Sequence, residues 1–424
     1  MSPDPGVRSC TVAEALRSRI GAGQVPDFLV GSGALRYNAP SSLEGLHREG
    51  NLSSPTQIVV PFVSLGLHDL GLKAAVMGAV ERVLEHGQYI LGPEVGDFET
   101  RFATLCGCRY AVGVSDGTHA LILALRALGI GPGDEVITPP NSFLASTSAV
   151  VLSGARPVFV DVGEDLNIDP DLIGAAVTPR TRAIIPVHLT GRPAAMEHIV
   201  SLASRSGLSI IEDAAQGVGA TLNGRAVGTF GTFGCFSLHP LKNLAACGDA
   251  GMITTDSEDL AAGLRQARNH GLRDRDTCET WAFNARLDAL QAAILSAKLD
   301  YLRQWTTAKR CLAARYREAL ADVVKVPDER PGELAVYQTF VVCAERRDDL
   351  QRHLAARGIE SKVHYPIPLH LQPAAAGLGY KKGDFPVAER LAGEILSLPI
   401  YPGLSEGQQE AAIAGVRSFY EGRG

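Results

Sequence analysis

From Val59 onward, short apolar segments alternate with longer stretches in which apolar residues recur every third or fourth position. The short segments are rich in β-branched residues: YAVGV (110–114), EVITP (135–139), RPVFVDV (156–162), RAIIPVHL (182–189), SIIED (209–213), FGCFSL (233–238) and GMITT (251–255). Each reads as a strand. The pattern between them predicts helices over 118–128, 143–153 and 195–206, and the amphipathic runs LKAAVMGAVERVLEHG and EVGDFETRFATLCG precede the first strand. Alternation of this kind predicts an α/β fold with a mainly parallel central sheet covered by helices on both faces. Binding residues are then expected at the carboxyl ends of the strands.

After Asp256 the pattern turns helical. Residues 287–320 carry apolar residues at three- and four-residue spacings and predict a long helix crossing between two domains, interrupted at most once. Strand-like YQTFVVCA, helix-like RRDDLQRHLAARG and a closing helix near 405–420 predict a smaller C-terminal α/β domain. The expected division is a large domain over 58–300 and a small one over 301–424. Residues 1–57, rich in Gly, Pro, Ser and Arg, read as an N-terminal extension, partly ordered or capping.

Composition narrows the function. The 424 residues are 46% hydrophobic and 20% charged with a net charge of −6, which removes the basic footprint of a nucleic-acid binder and points to a small-molecule partner. No apolar run approaches the roughly 18 residues of a membrane span, and the N-terminus lacks a signal-peptide pattern, so a cytoplasmic protein is expected. Eight cysteines show no paired CxxC spacing, so no metal centre is expected and most read as small core residues, Cys106 and Cys108 included.

Lysine is scarce: eight stand against 32 arginines. Lys73, Lys298 and Lys309 fall on predicted amphipathic helices, Lys325 precedes a loop proline, and Lys381 and Lys382 form a solvated pair. Lys242 differs, because in FSLHPLKNLAACGDAG it follows a strand and precedes a glycine-bearing loop. It is either a surface charge or a partly desolvated amine able to form a Schiff base with a carbonyl, which a guanidinium cannot do.

A Schiff-base lysine suggests pyridoxal phosphate, which needs an acid at its ring nitrogen, phosphate donors and a flat cover. IIEDAAQG ends a strand with Asp213, a ring-nitrogen partner or an ordinary helix cap. VGVSDGTHAL runs strand, glycine turn, helix start, so Gly117 and Thr118 form either an anion site or a simple capped turn. TPPNSFLAS sets Phe143 after another strand end, as a cover for a ring or a buried aromatic.

Taken together, GQYILGPEVGDFE, GIGPGDEVITPPNSF, GARPVFVDV, IIPVHLTG, IIEDAAQ, FSLHPLKNL, NARLDALQAAIL, HYPIPLHLQP and LSLPIYP resemble, in order and over residues 60–420, fold-type I pyridoxal-phosphate enzymes of the DegT-type sugar aminotransferase family. The resemblance implies roles. Lys242 matches the Schiff-base lysine, Asp213 the partner of the pyridine nitrogen and Gln216 the residue near the ring hydroxyl. Ser237, Gly117 and Thr118 match phosphate ligands, and Phe143 the stacking aromatic. Asn284 matches a residue that reaches the neighbouring subunit's cofactor phosphate, which implies a homodimer. Arg286, His364 and His370 match the substrate side, with His188 either there or in the core.

The implied reaction is a transamination from glutamate or glutamine to a keto sugar, nucleotide-linked in the leading reading. A keto sugar phosphate or keto inositol is the alternative, and a non-catalytic cofactor-binding regulator the alternative of another class. Related sugar dehydratases carry histidine in place of the lysine, so Lys242 argues against dehydration. The chain also departs from the common family pattern at Leu241, Ala245, Ala250, Thr190 and Gln338. Asp116 stands where a neutral residue is usual, and an acid beside a phosphate site must point away or meet a cation.

Overall fold

The computed structural model describes residues 59–421, so the N-terminal extension expected at 1–57 lies outside the described residues. In chain order the chain forms α1 (Leu70–His86), α2 (Pro93–Cys106), β1 (Tyr110–Val114), α3 (Gly117–Ala127), β2 (Glu135–Thr138), α4 (Leu144–Leu152) and β3 (Arg156–Phe159). There follow α5 (Pro170–Ala176), β4 (Thr181–Ile184), α6 (Met196–Ser206), β5 (Ser209–Asp213), a hairpin of β6 (Thr221–Leu222) and β7 (Arg225–Ala226), β8 (Phe233–Ser237) and β9 (Gly251–Thr255). Then come α7 (Glu258–Ala267), α8 (Ala289–Leu299), α9 (Leu302–Leu320), β10 (Glu333–Leu334), β11 (Phe340–Cys343), α10 (Arg347–Ala355), α11 (Pro386–Glu394), β12 (Ile395–Leu398) and α12 (Glu406–Glu421).

All seven strands expected from the pattern join one sheet, in the order β1-β9-β8-β5-β4-β2-β3. Only β9 runs against the others, since it pairs antiparallel with both β1 and β8 while every remaining pair is parallel. Six carboxyl ends therefore share one edge. Alternation sends neighbouring side chains to opposite faces: Phe236 and Met252 pack with Phe98, Phe102 and Leu295, whereas Phe233, Cys235 and Ile253 pack with Leu121 and Leu125 of α3. Helix α3 buries Ala120 through Leu125 without a break, which is why its sequence is apolar all round.

Helix ends follow local chemistry. Gly87, Gly107 and Gly207 close α1, α2 and α6 in the left-handed conformation that glycine adopts at little cost. Asp116, Asp169 and Ser257 cap α3, α5 and α7 with side-chain oxygens.

Two strands end earlier than expected, and the long helix has the one interruption allowed for it. The strands expected over 156–162 and 182–189 stop at Phe159 and Ile184, although Ile185, Val187 and Leu189 remain buried. Apolar periodicity reports burial; past Ile184 the pairing thins to single contacts, Ile185 N–H to the Ile137 carbonyl and Val187 beside Asp213, with Pro186, which has no N–H, between them. The long helix of 287–320 is two helices, broken at Asp300 and Tyr301, where the Tyr301 N–H turns to the Lys298 carbonyl.

Toward the C-terminus, β11 pairs antiparallel with β12, and α9, α10 and α12 pack on them through Tyr316, Leu320, Leu350, Leu354 and Val416. Cys106 and Cys235 are core residues as expected, whereas Cys247, Cys278 and Cys311 are exposed. Among the described residues no helix is long and apolar enough to cross a membrane.

Candidate active site

The turn after β1 builds an anion cradle. Asp116 caps α3 by accepting the His119 N–H at 2.8 Å, and the first N–H groups of a helix have no partners of their own within it. Gly117 opens the helix directly against Ser237 at the end of β8: a Cβ added to Gly117 would lie 2.8 Å from that of Ser237. Only glycine lets the start of α3 approach the end of β8 so closely. The acid at Asp116 meets a histidine: its Oδ2 lies 2.6 Å from His119 Nδ1, and this hydrogen bond raises the pKa of the ring. Burial alone would raise the Asp116 carboxyl, but hydrogen bonds from His119 and Ser115 outweigh it and hold the group at about 2.

At the end of β5, Asp213 is buried and fixed at both oxygens. Ser146 Oγ donates to Oδ2 at 2.7 Å and the Ala215 N–H donates to Oδ1 at 3.1 Å. Ser146 in turn accepts from Ser142 Oγ at 3.0 Å. This serine pair frames Phe143, whose ring is 53% exposed and therefore free to cover a ligand. Sequence reasoning singled out Phe143 from TPPNSFLAS and passed over both serines, which look like ordinary helix-start residues.

Lys242 stands on the irregular segment after β8, half-buried, with its amide tied to the His239 carbonyl at 2.8 Å. Desolvation lowers its amine below the ordinary lysine value, and the Asp213 carboxylate partly offsets that fall. The same field reaches two residues of HYPIPLHLQP. Burial, then Lys242 and Lys362, bring the His364 ring down to about 4, so it is neutral at neutral pH. Burial and Asp213 push the Tyr365 hydroxyl up to about 12. Tyr365 lies 5.6 Å from the Phe143 ring, and His364 Nδ1 lies 2.9 Å from Ser397 Oγ. Tyr365 was not singled out from sequence, though its neighbour was.

The remaining candidates divide. Arg286 sits beside the end of β1, bridged to Val114, with its guanidinium on Asn269 Oδ1 at 2.9 Å. Asn284 is exposed. Gln216 is buried and accepts the Thr190 N–H at 2.7 Å. Of the residues expected on the substrate side, His188 takes its core alternative and His370 is buried as well. His188 is fully buried; its Nδ1 accepts from the Ala194 N–H, so its Nε2 donates to Glu212 at 3.0 Å and no ring nitrogen is left for a sugar. His370 is buried among Phe159 and Phe385 and bound to Glu389. Both were candidates through the family resemblance; His188 serves the buried Glu212, and His370 the half-buried Glu389.

Lys242, Asp213, the Gly117–Ser237 cradle and Phe143 thus converge on one edge, and they fit pyridoxal phosphate. The free N–H groups at the start of α3 suit a phosphate, the anchored carboxylate suits a pyridinium nitrogen, and the desolvated amine suits a carbonyl. Fold and site define a pyridoxal-phosphate-dependent enzyme of fold type I. The chain belongs to the DegT/DnrJ/EryC1/StrS aminotransferase family, whose profile matches residues 72–417. That family is pyridoxal-phosphate-dependent, and structures of similar fold carry the pyridoxal or pyridoxamine form.

Relatives include dTDP-3-amino-3,4,6-trideoxy-alpha-D-glucose transaminase of Streptomyces venezuelae, 46% identical over 365 residues, covering 85% of this chain and 96% of the relative. UDP-N-acetyl-3-dehydro-alpha-D-glucosamine 3-aminotransferase of Acidithiobacillus ferrooxidans is 43% identical, covering 84% of this chain and 96% of the relative. Among solved structures, S. venezuelae DesV superposes with a TM-score of 0.84 at 46% identity, covering 87% of this chain and 99% of that one.

Proposed function

We propose that this aminotransferase moves an amino group from glutamate or glutamine to C3 of a nucleotide-linked 3-keto sugar, as a cytoplasmic homodimer. The observation that carries the reading is the desolvated Lys242 amine in the field of an Asp213 fixed at both oxygens. The two relatives named above support the nucleotide and the 3-position by their names.

When bound, pyridoxal phosphate supplies an electron-accepting ring and carries the amino group between donor and acceptor. Gly117, Thr118 and Ser237 hold its phosphate, and Phe143 covers one face. Asp213, unable to turn because Ser146 and Ala215 grip it, keeps the ring nitrogen protonated. Gln216 stands near the ring hydroxyl. Lys242 Nζ would hold the cofactor's carbonyl carbon and, as a free amine, would move the proton at the donor's α-carbon; its lowered pKa favours the free base. Arg286 and the neutral His364 take the substrate side.

The homodimer is supported by unpartnered surface. Leu70, Met77 and Leu84 recur at seven-residue spacing on α1 and are exposed, Trp281 is 93% exposed, and Asn284 nearby in sequence is exposed too. A second copy covering Asn284 is what its role at the neighbour's phosphate requires.

The test is reconstitution with pyridoxal phosphate, borohydride reduction and mapping of the modified peptide, followed by a panel of nucleotide-linked keto sugars with glutamate or glutamine as donor. Modification at Lys242, absent in Lys242→Ala, is expected, together with amination of a 3-keto nucleotide sugar. A cofactor locked elsewhere refutes the site, and amination confined to sugar phosphates or inositols refutes the substrate class.

A further inference from the structure

The segment that carries Lys242 has no regular secondary structure, and every second residue of it is tied down by a side chain from far along the chain. Gln338 Nε2 donates to the Leu241 carbonyl at 2.6 Å. Lys309 Nζ donates to Asn243 Oδ1 at 2.7 Å. Lys298 Nζ donates to the Ala245 carbonyl at 2.7 Å, and Gln291 Oε1 accepts the Cys247 N–H at 2.8 Å. The even-numbered residues turn the other way: Leu244 and Ala246 are buried in the core. Lys242 therefore has a clamped residue on each side of it.

We propose that Lys309 and Gln338 are positioning residues that bracket the cofactor-bearing lysine, acting through Asn243 and Leu241. The proposal rests on the assignment of Lys242 given above. A buried amine is expensive to keep without a carboxylate, and Lys309 is 7% exposed with the neutral Asn243 amide as its one hydrogen-bond partner among the described residues. Burial brings its pKa down to about 7, and an amine donates to Asn243 in either protonation state. Each clamp is spent on the loop alone: Asn243 Nδ2 and Gln338 Oε1 are buried without partners among the described residues. The expected role of Lys309 as a bland position on an amphipathic helix is thereby corrected, and so is that of Lys298.

The chemistry explains why two clamps are needed. The Lys242 amine must first hold the cofactor and then swing free to move a proton while its backbone stays still, and misplacement on the scale of an ångström costs such steps heavily.

The experiment uses the reconstituted protein and the variants Lys309→Met, Gln338→Ala, Asn243→Ala and Lys309→Met with Asn243→Ala. Borohydride mapping of the wild type comes first; if the cofactor is not at Lys242, the site assignment falls and the bracket with it. With that in hand, each single variant is expected to lower kcat about tenfold while KM for donor and acceptor stays within about twofold. The pH midpoint of the lysine-linked cofactor's absorbance is expected to move by about half a unit or more. The double variant is expected to be no worse than Asn243→Ala, because Lys309 acts through that residue. Should Lys309→Met not fold, Asn243→Ala and Gln338→Ala carry both readouts. An unchanged midpoint and kcat, with only the melting temperature lowered, or additive losses in the double variant, overturn the bracket while leaving Lys242 in place.

Discussion

Ser146 Oγ donates to Asp213 Oδ2 at 2.7 Å, and both residues are buried. A carboxylate with two oxygens spoken for has one orientation, and the ring nitrogen that meets it inherits that orientation. A hydrogen bond to a charged group contributes about 1.5–3 kcal/mol. Ser146→Ala is therefore expected to lower kcat/KM by about tenfold to a hundredfold, and Ser146→Thr to recover most of it. Steady-state kinetics on the two variants check this; an unaltered Ser146→Ala would mean the Ala215 N–H suffices.

Gly117→Ala probes the cradle. The added methyl would sit 2.8 Å from Ser237 Cβ and 3.3 Å from its Cα, so the start of α3 and the end of β8 must part. Overpacking of this kind costs about 1–3 kcal/mol, which appears as a cofactor dissociation constant raised about tenfold or more. Fluorescence titration with pyridoxal phosphate measures it, and circular dichroism is expected to stay native.

The Asp116–His119 pair makes stability depend on pH. Asp116 titrates at about 2 when folded, below its ordinary 3.8, so its contribution is present above about pH 4 and is lost as pH falls toward 2. His119 is raised above its ordinary 6.5, chiefly by its hydrogen bond to Asp116, so its contribution is complete below that value and is lost as pH rises through the raised one. The pair works fully between these limits. Both side chains are about one-third exposed, so the effect is modest. His119→Gln is expected to lower Tm by about 1–2 °C near pH 5 and by less near pH 9.

His188→Ala separates a core histidine from a substrate ligand. The substitution leaves Glu212, fully buried, with only the Gly228 and Gly231 N–H groups. Urea unfolding is expected to show a loss of about 2–4 kcal/mol. KM for the sugar is expected to be unchanged in the folded fraction, and a large rise in KM with full stability would restore His188 to the pocket.

Much of the site was legible because its chemistry sits at strand ends. Asp213, Ser237 and the Gly117–Thr118 turn each follow an apolar β-branched run, and a reader who finds the strands finds the edge. His188 and His370 could not be sorted in this way: a histidine looks the same in sequence whether it faces a ligand or, as here, a glutamate 19 or 24 residues away. Leu241 and Gln338 were visible as departures from the family pattern, but not that the second holds the carbonyl of the first.

Local periodicity and turn chemistry determined the strands, most helices, the parallel α/β class and the candidate Schiff-base lysine, because each is written within a few neighbouring residues. Tertiary structure alone decided the rest. Ser146 lies 67 residues from Asp213, Lys309 lies 66 from Asn243, and Gln338 lies 97 from Leu241. Contacts across such separations exist only once the sheet has brought its carboxyl ends together, and a polar side chain carries no mark in sequence of the distant group it will meet.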